Sequence, residues 1–219
     1  MNSSDIISGP QYPVETTDLP KQLIILLHGF GSDGNDLIQL AKVWSQFMPE
    51  ALFLAPNAPE VCTTSPSGYQ WFSLADLSKA EIDAGVIRAS ATLNSFIDIN
   101  LRKYQLKEDR LVLVGFSQGT MMALQVGLRR PQSCAGIIGF SGQLPNAEKL
   151  KTEVKKTTPV LLVHGANDEI IPVKALFNAV SELGAIGINV QWHVSTDLGH
   201  SIGKDGLELA EEFLRDIFF

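Results

Sequence analysis

The 219-residue chain carries 24 acidic and 17 basic residues, a formal net charge of −7, which argues against a nucleic-acid backbone or an anionic membrane surface as the main partner. Hydrophobic residues make up 45% and charged residues 19%, a globular rather than a disordered composition. The length suits a single domain over residues 1–219 with one large core and is too short for two full-sized domains.

In chain order, Met1 to Asp5 has no basic stretch and no apolar run follows before Pro10, so the sequence predicts no signal peptide. The first twenty residues, with Pro10, Pro13 and Pro20, read as an edge strand or hairpin leading into the apolar strand Leu23–Leu27. An amphipathic pattern over 35–48 predicts a helix, and Ala51–Ala55 a second strand. Pro56 to Asp76 is too long for an ordinary connection; it holds Pro56, Pro59, Pro66 and Gly68 and then Trp71-Phe72, and such loops tend to be functional or mobile. Further on come a helix over 81–102, the strand Leu111–Val114, and a helix ending near Arg129-Arg130-Pro131. The strand Ala135–Phe140 follows, then a Lys- and Glu-rich solvated helical face over 147–156 and the strand Val160–Val163. A helix over 173–183, the strand Asn189–Val194 and a helix over 205–217 complete the order.

Short continuous apolar runs alternating with helical patterns specify an α/β class: a mostly parallel central sheet with helices on both faces. No apolar run approaches the roughly 20 residues of a membrane span, so no stable membrane insertion is expected. Cys62 and Cys134 are too few for a disulfide framework or a structural zinc site. They read as free thiols, and the expected location is cytoplasmic. The apolar tail Ile217-Phe218-Phe219 either packs on the core or forms a homodimer contact.

Gly115-Phe116-Ser117-Gln118-Gly119 directly follows the strand Leu111–Val114 and opens a helix containing Met121, Met122, Ala123 and Leu124. This is G-x-S-x-G in a strand–turn–helix setting. A serine on so sharp a turn projects its hydroxyl above the sheet, the glycines let strand and helix pass closely, and the helix N-terminus puts N–H groups beside the nucleophile. The plain alternative is a turn serine between tightly packed elements.

A serine hydroxyl needs a base, and the base an orienting acid. In α/β-hydrolases these follow the serine as acid and then histidine, on loops at the C-terminal edge of the sheet. Asp168 lies just past Val160–Val163, and His200 in Gly199-His200-Ser201 just past Asn189–Val194. The other groups fit less well. His193 sits inside a strand, His164 ends one and reads as packing or bonding to the adjacent loop, and Glu169 is one position further along that loop. Asp197 and Asp205 are too near His200 to come from the loop after Val163. The preferred triad is Ser117, Asp168 and His200.

His28-Gly29-Phe30-Gly31-Ser32-Asp33-Gly34 follows the first central strand. In this fold an oxyanion hole uses the N–H after the nucleophile, here Gln118, and one from this early loop, for which Phe30 is the candidate. Read as G-x-G-x-x-G, the loop makes a poor dinucleotide site, because the next strand runs into Pro56 with no acidic residue at its end. No cofactor and no metal is expected.

These segments, with Trp71-Phe72, His164-Gly165-Ala166-Asn167-Asp168, Ile171-Pro172 and Gly199-His200, resemble the phospholipase/carboxylesterase family of serine hydrolases, which includes acyl-protein thioesterases and bacterial carboxylesterases. The resemblance covers residues 21 to the C-terminus. It implies an α/β-hydrolase fold, the triad Ser117, Asp168 and His200, oxyanion donors Phe30 and Gln118, and hydrolysis of small-molecule carboxylic esters through an acyl-enzyme without a cofactor. Thioesters or lysophospholipids are the alternative substrates, and a non-catalytic binding module on the same scaffold is a further alternative. About twenty residues separate Phe140 from Val160, leaving no room for a cap domain. Trp71 and Phe72 then either line an acyl pocket or anchor their loop to the core.

Overall fold

The run Gln22–Leu27 (β2), QLIILL, is buried at every position, as a strand covered by helices on both faces must be. It is one of nine strands among the described residues of the computed structural model, which describes residues 7–12, 19–154 and 156–219. The others are Gln11–Tyr12 (β1), Ala51–Leu54 (β3), Leu111–Phe116 (β6), Gly136–Phe140 (β7), Val160–Gly165 (β8) and Val190–Ser195 (β9), with a small separate pair, Glu60–Val61 (β4) and Tyr69–Gln70 (β5). Among the described residues the main sheet has seven strands in the order β1-β3-β2-β6-β7-β8-β9. Only β1 is antiparallel, so the predicted edge strand exists as a two-residue segment on β3. Pro13 lies outside the described residues.

The helices are Gly34–Leu37 (α1), Gln39–Trp44 (α2), Lys79–Lys103 (α3), Gln118–Gly127 (α4), Ala147–Glu153 (α5), Lys174–Ala185 (α6) and Lys204–Phe218 (α7). Strand side chains alternate between two apolar layers. Leu23, Ile25 and Leu27 join Leu93 and Ile97 of α3, Met122 of α4 and Leu183 of α6 on one face. On the other, Ile24 and Leu26 meet Ala41 and Trp44 of α2 with Ala210, Phe213 and Leu214 of α7. The α/β-hydrolase class read from the sequence is the fold observed. Among the described residues α5 is the single element between β7 and β8, and no cap domain is seen.

Three local readings change. The helix expected over 35–48 is two short ones joined at Ile38, whose ψ of −16° is shallow for an α-helix; Ala41 N–H then bonds Ile38 O, three residues back. The 56–76 loop is partly ordered by the β4–β5 ladder and by a bridge from Tyr69 to Ser32. The apolar tail divides: Ile217 and Phe218 pack against the second layer, while Phe219 stays 77% exposed. No helix among the described residues is long and apolar enough to cross a membrane.

Phe213 is 1% exposed and so close to β7 that a side chain at Gly136 would meet its ring. Phe213→Ala therefore leaves a cavity under the sheet and is expected to cost about 3–5 kcal/mol. Urea unfolding checks this: the midpoint drops while the slope with denaturant stays unchanged.

Candidate active site

The site begins with a close crossing of three backbone segments. A side chain on Gly115 would lie 2.3 Å from Gly119 C, and one on Gly119 would lie 1.9 Å from Leu27 O. Both glycines of the motif are thus sterically required, and β6 can pass into α4 beside β2 only through a sharp turn. Ser117 makes that turn at φ 53°, ψ −113°, a conformation that a non-glycine residue holds only when its surroundings impose it. Ser117 N–H donates to Phe140 O at 2.9 Å, and Thr120 Oγ1 lies 2.8 Å from both Gly115 O and Phe140 O.

Two further loops converge on Ser117 from the same sheet edge. Asp168 follows β8 and His200 follows β9. A Cβ on Gly165 would lie 2.2 Å from Gly199 O, and Asn167 N–H bonds Leu198 O at 2.9 Å, so the acid loop and the histidine loop are laced together by backbone. His200 Nδ1 lies 2.7 Å from Asp168 Oδ2 and Nε2 lies 2.9 Å from Ser117 Oγ. An ionised carboxylate only accepts, so Nδ1 carries the hydrogen and Nε2 offers its lone pair to the serine O–H. Asp168 Oδ1 accepts from the N–H groups of Ile170 and Ile171 at 2.9 and 2.8 Å. Burial disfavours ionisation of Asp168, but the hydrogen bonds from His200, Ile171 and Ile170 together outweigh it and hold the carboxyl below its ordinary value. The Phe116 ring sits 5.0 Å from the imidazole of His200.

The alternative groups separate by position. Glu169 is exposed whereas Asp168 is buried. His193 pairs with Asp205 at 2.8 Å, on the strand away from the serine.

The glycine-rich loop lies against the elbow, for a side chain on Gly29 would stand 3.3 Å from Ser117 Cβ. Among the described residues, neither Phe30 N–H nor Gln118 N–H meets an acceptor in the chain, which leaves both free for a ligand. The loop is pinned from behind by His28. Its Nδ1 lies 2.8 Å from Gly29 O, and its Nε2 accepts from Ala58 N–H at 2.9 Å. These partners require a neutral imidazole with its hydrogen on Nδ1.

Trp71 and Phe72 are 1% and 2% exposed and belong to the core beneath the loop. Trp71 Nε1–H donates to His28 O at 3.0 Å. The Gln118 side chain accepts from Trp71 N–H at 2.9 Å and donates to Phe72 O at 2.8 Å. Of the two roles open in the sequence, the geometry gives anchoring; neither residue lines the open cleft. That cleft, about 370 Å³ beside Ser117, is walled by Leu74, Leu77, Ile82, Met121, Ile170 and Ile171. Met121 stands one helical turn from Ser117 and Ile171 follows the acid, so both could have been read as wall residues from spacing. Leu77 lies just before α3 and Ile82 in its first turn, with no local signal to mark them.

The sequence model of the family described as Phospholipase/Carboxylesterase matches residues 13–218. The chain belongs to the phospholipase/carboxylesterase family. It is 37% identical to acyl-protein thioesterase 1 of Schizosaccharomyces pombe over 158 residues, 68% of this chain and 69% of that one. It is 27% identical to esterase YpfH of Escherichia coli over 93% and 87% of the two chains. The crystal structure of esterase PE8 superposes with a TM-score of 0.93 at 42% identity, covering 97% of this chain and all of that one. As a member of this family the chain is a hydrolase of carboxylic esters.

Burial holds the His28 pKa below its usual 6.5, against the opposing effects of Gly29, Asp33 and Asp36. The unfolded chain therefore takes up a proton at His28 before the folded chain does, and stability must fall as pH drops below about 6.5. Urea midpoints measured across that range should decline with acidity, and the decline should be shallower in His28→Asn.

Proposed function

We propose that the chain is a serine carboxylesterase in which Ser117 is the nucleophile, His200 the general base and acid, and Asp168 the orienting acid. The observation that carries this reading is the unbroken hydrogen-bond path from Ser117 Oγ through His200 to Asp168. In the first half-reaction Ser117 Oγ attacks the ester carbonyl carbon while His200 Nε2 takes the hydroxyl proton. The negative charge on the former carbonyl oxygen is stabilised by the N–H groups of Gln118 and Phe30. His200 then protonates the departing alcohol, leaving Ser117 acylated. Water repeats the sequence with His200 as base and releases the acid. Asp168 holds the tautomer and stabilises the imidazolium that forms in each half-reaction. The substrate is a small-molecule ester; no cofactor or nucleic acid enters the scheme.

The apolar cleft beside Ser117 favours an acyl chain longer than acetyl. It adjoins a second cavity of about 530 Å³, with Leu77, Ile82, Gln143, Ala175 and Asn178 shared between the two. This continuity is the feature that supports the second reading, a thioester or lysophospholipid with a long acyl chain on the same triad. Both cysteines are free and buried, which fits a reducing, cytoplasmic setting.

Hydrolysis of p-nitrophenyl esters from acetate to palmitate tests the assignment. Ser117→Ala should lower kcat by roughly 10⁴ or more, and a variant keeping several per cent of turnover would refute it.

The cleft makes a separate prediction. Ala175→Phe narrows the passage between the two cavities, so kcat/KM for long-chain esters should fall about tenfold while acetate is spared. Trp71→Ala, lying outside the cleft, should show no such dependence on chain length.

A further inference from the structure

The end of β8 places a second imidazole against the acid. The His164 side chain is 1% exposed, and its Nε2 lies 2.8 Å from Ile171 O and 3.2 Å from Asp168 Oδ2. A carbonyl oxygen and an ionised carboxylate are both acceptors, so Nε2 must carry a hydrogen. That N–H donates to Ile171 O. Ile171 is also the residue whose own N–H donates to Asp168 Oδ1. His164 therefore holds, by its carbonyl, the same residue that holds the acid by its amide. The carboxylate oxygen nearest to His164 is Oδ2, the one facing His200 Nδ1. The acid is thus fixed on Oδ1 by the turn and flanked on Oδ2 by two ring nitrogens.

We propose that His164 is a positioning residue of the triad, clamping the Asp168–Ile171 turn so that Oδ2 stays aimed at His200 Nδ1. The inference rests on the triad assigned above. Packing alone does not account for an imidazole here. The strand before it, Val160-Leu161-Leu162-Val163, is wholly apolar and buried, and a buried polar ring costs free energy unless its nitrogens are partnered. A hydrocarbon side chain would fill the space without that cost, but it would leave Ile171 O without its donor and the turn free to tilt. A shift well under 1 Å at Asp168 would pass directly to His200, because Oδ2 is bonded to the Nδ1 of the base at 2.7 Å.

The experiment compares native protein, His164→Phe, His164→Gln and Ser117→Ala on one short p-nitrophenyl ester. Active sites are counted by a phosphonate titrant, and the strongly deshielded Nδ1 proton of His200 is followed by proton NMR. His164→Phe keeps the bulk and loses the donor. It should lower kcat per titrated site between about tenfold and a hundredfold, leave KM within about twofold, and shift or broaden the deshielded proton. His164→Gln, which can donate to Ile171 O, should recover most of both signals. If the Phe chain fails to fold, His164→Met takes its place, since an unbranched thioether adapts to irregular space. Full kcat per site with an unchanged NMR signal in the folded donor-less variant would overturn the inference. So would equal losses in the Gln and Phe variants. Turnover surviving in Ser117→Ala would instead overturn the triad itself, which keeps the two failures distinct.

Discussion

The crossing of β6, α4 and the end of β2 leaves no space for a side chain at Gly115 or Gly119, where an added Cβ would lie 2.3 Å and 1.9 Å from backbone atoms. Everything else at the site depends on that crossing. It forces Ser117 to φ 53°, which lifts the hydroxyl off the sheet. It also makes Gln118 the first residue of a helix, so that its N–H has no partner within that helix. The strain at Ser117 costs about 1–3 kcal/mol. It persists because Ser117 N–H is tied to Phe140 O and α4 is buried along its whole length.

The same residue reaches in two directions. Gln118 presents a backbone N–H at the start of α4, the donor proposed for the oxyanion, while its side chain grips Trp71 N–H and Phe72 O. Trp71 in turn bonds His28 O, and His28 pins Gly29 and Ala58. The glycine-rich loop and the 56–76 loop are therefore one assembly locked onto the start of α4. Side-chain networks of this kind rigidify because each buried member left unpartnered would carry its full desolvation penalty. Ser141 plays a matching part across the sheet: at φ 47° it ends β7 and donates from Oγ to Ser201 O at 3.3 Å, next to His200.

Much of this was legible in the sequence because it depends on local pattern. Runs such as Leu23–Leu27 and Val160–Val163 have no polar face to offer solvent, so a sheet covered on both sides was the only place for them. The motif around Ser117 carries its own steric reason; Asp168 sits one loop past such a run, and His200 one loop past the more polar strand Asn189–Val194. What was not legible depends on contacts distant in sequence. Nothing local tells which way Trp71 and Phe72 face in a loop without periodicity; their inward turn is set by Gln118, 47 residues from Trp71. The cleft wall is assembled from the loop before α3 with that helix's first turn, the first turn of α4 and the turn after Asp168, three places that meet only once the sheet has formed. The break at Ile38 reflects a small change in ψ that no side-chain pattern records.

The polarity of the site is divided between its two sides. Behind His200 the acid is sealed: the Asp168 side chain is fully buried and that of His200 only 18% exposed, and every oxygen of the carboxylate has N–H groups directed at it. In front of Ser117 the cleft is open and apolar, and two of its lips, Leu77 and Ile170, are 70% and 71% exposed. An open apolar wall binds an acyl chain through area alone and discriminates weakly between chains of neighbouring length, since each methylene contributes only about 0.8 kcal/mol even when fully buried. On the triad proposed above, the rate advantage comes from the sealed side, where a fixed carboxylate and a fixed tautomer act without reorganising during the reaction. Selectivity among acyl groups is left to the few positions, such as Ala175, where the cleft narrows toward the second cavity.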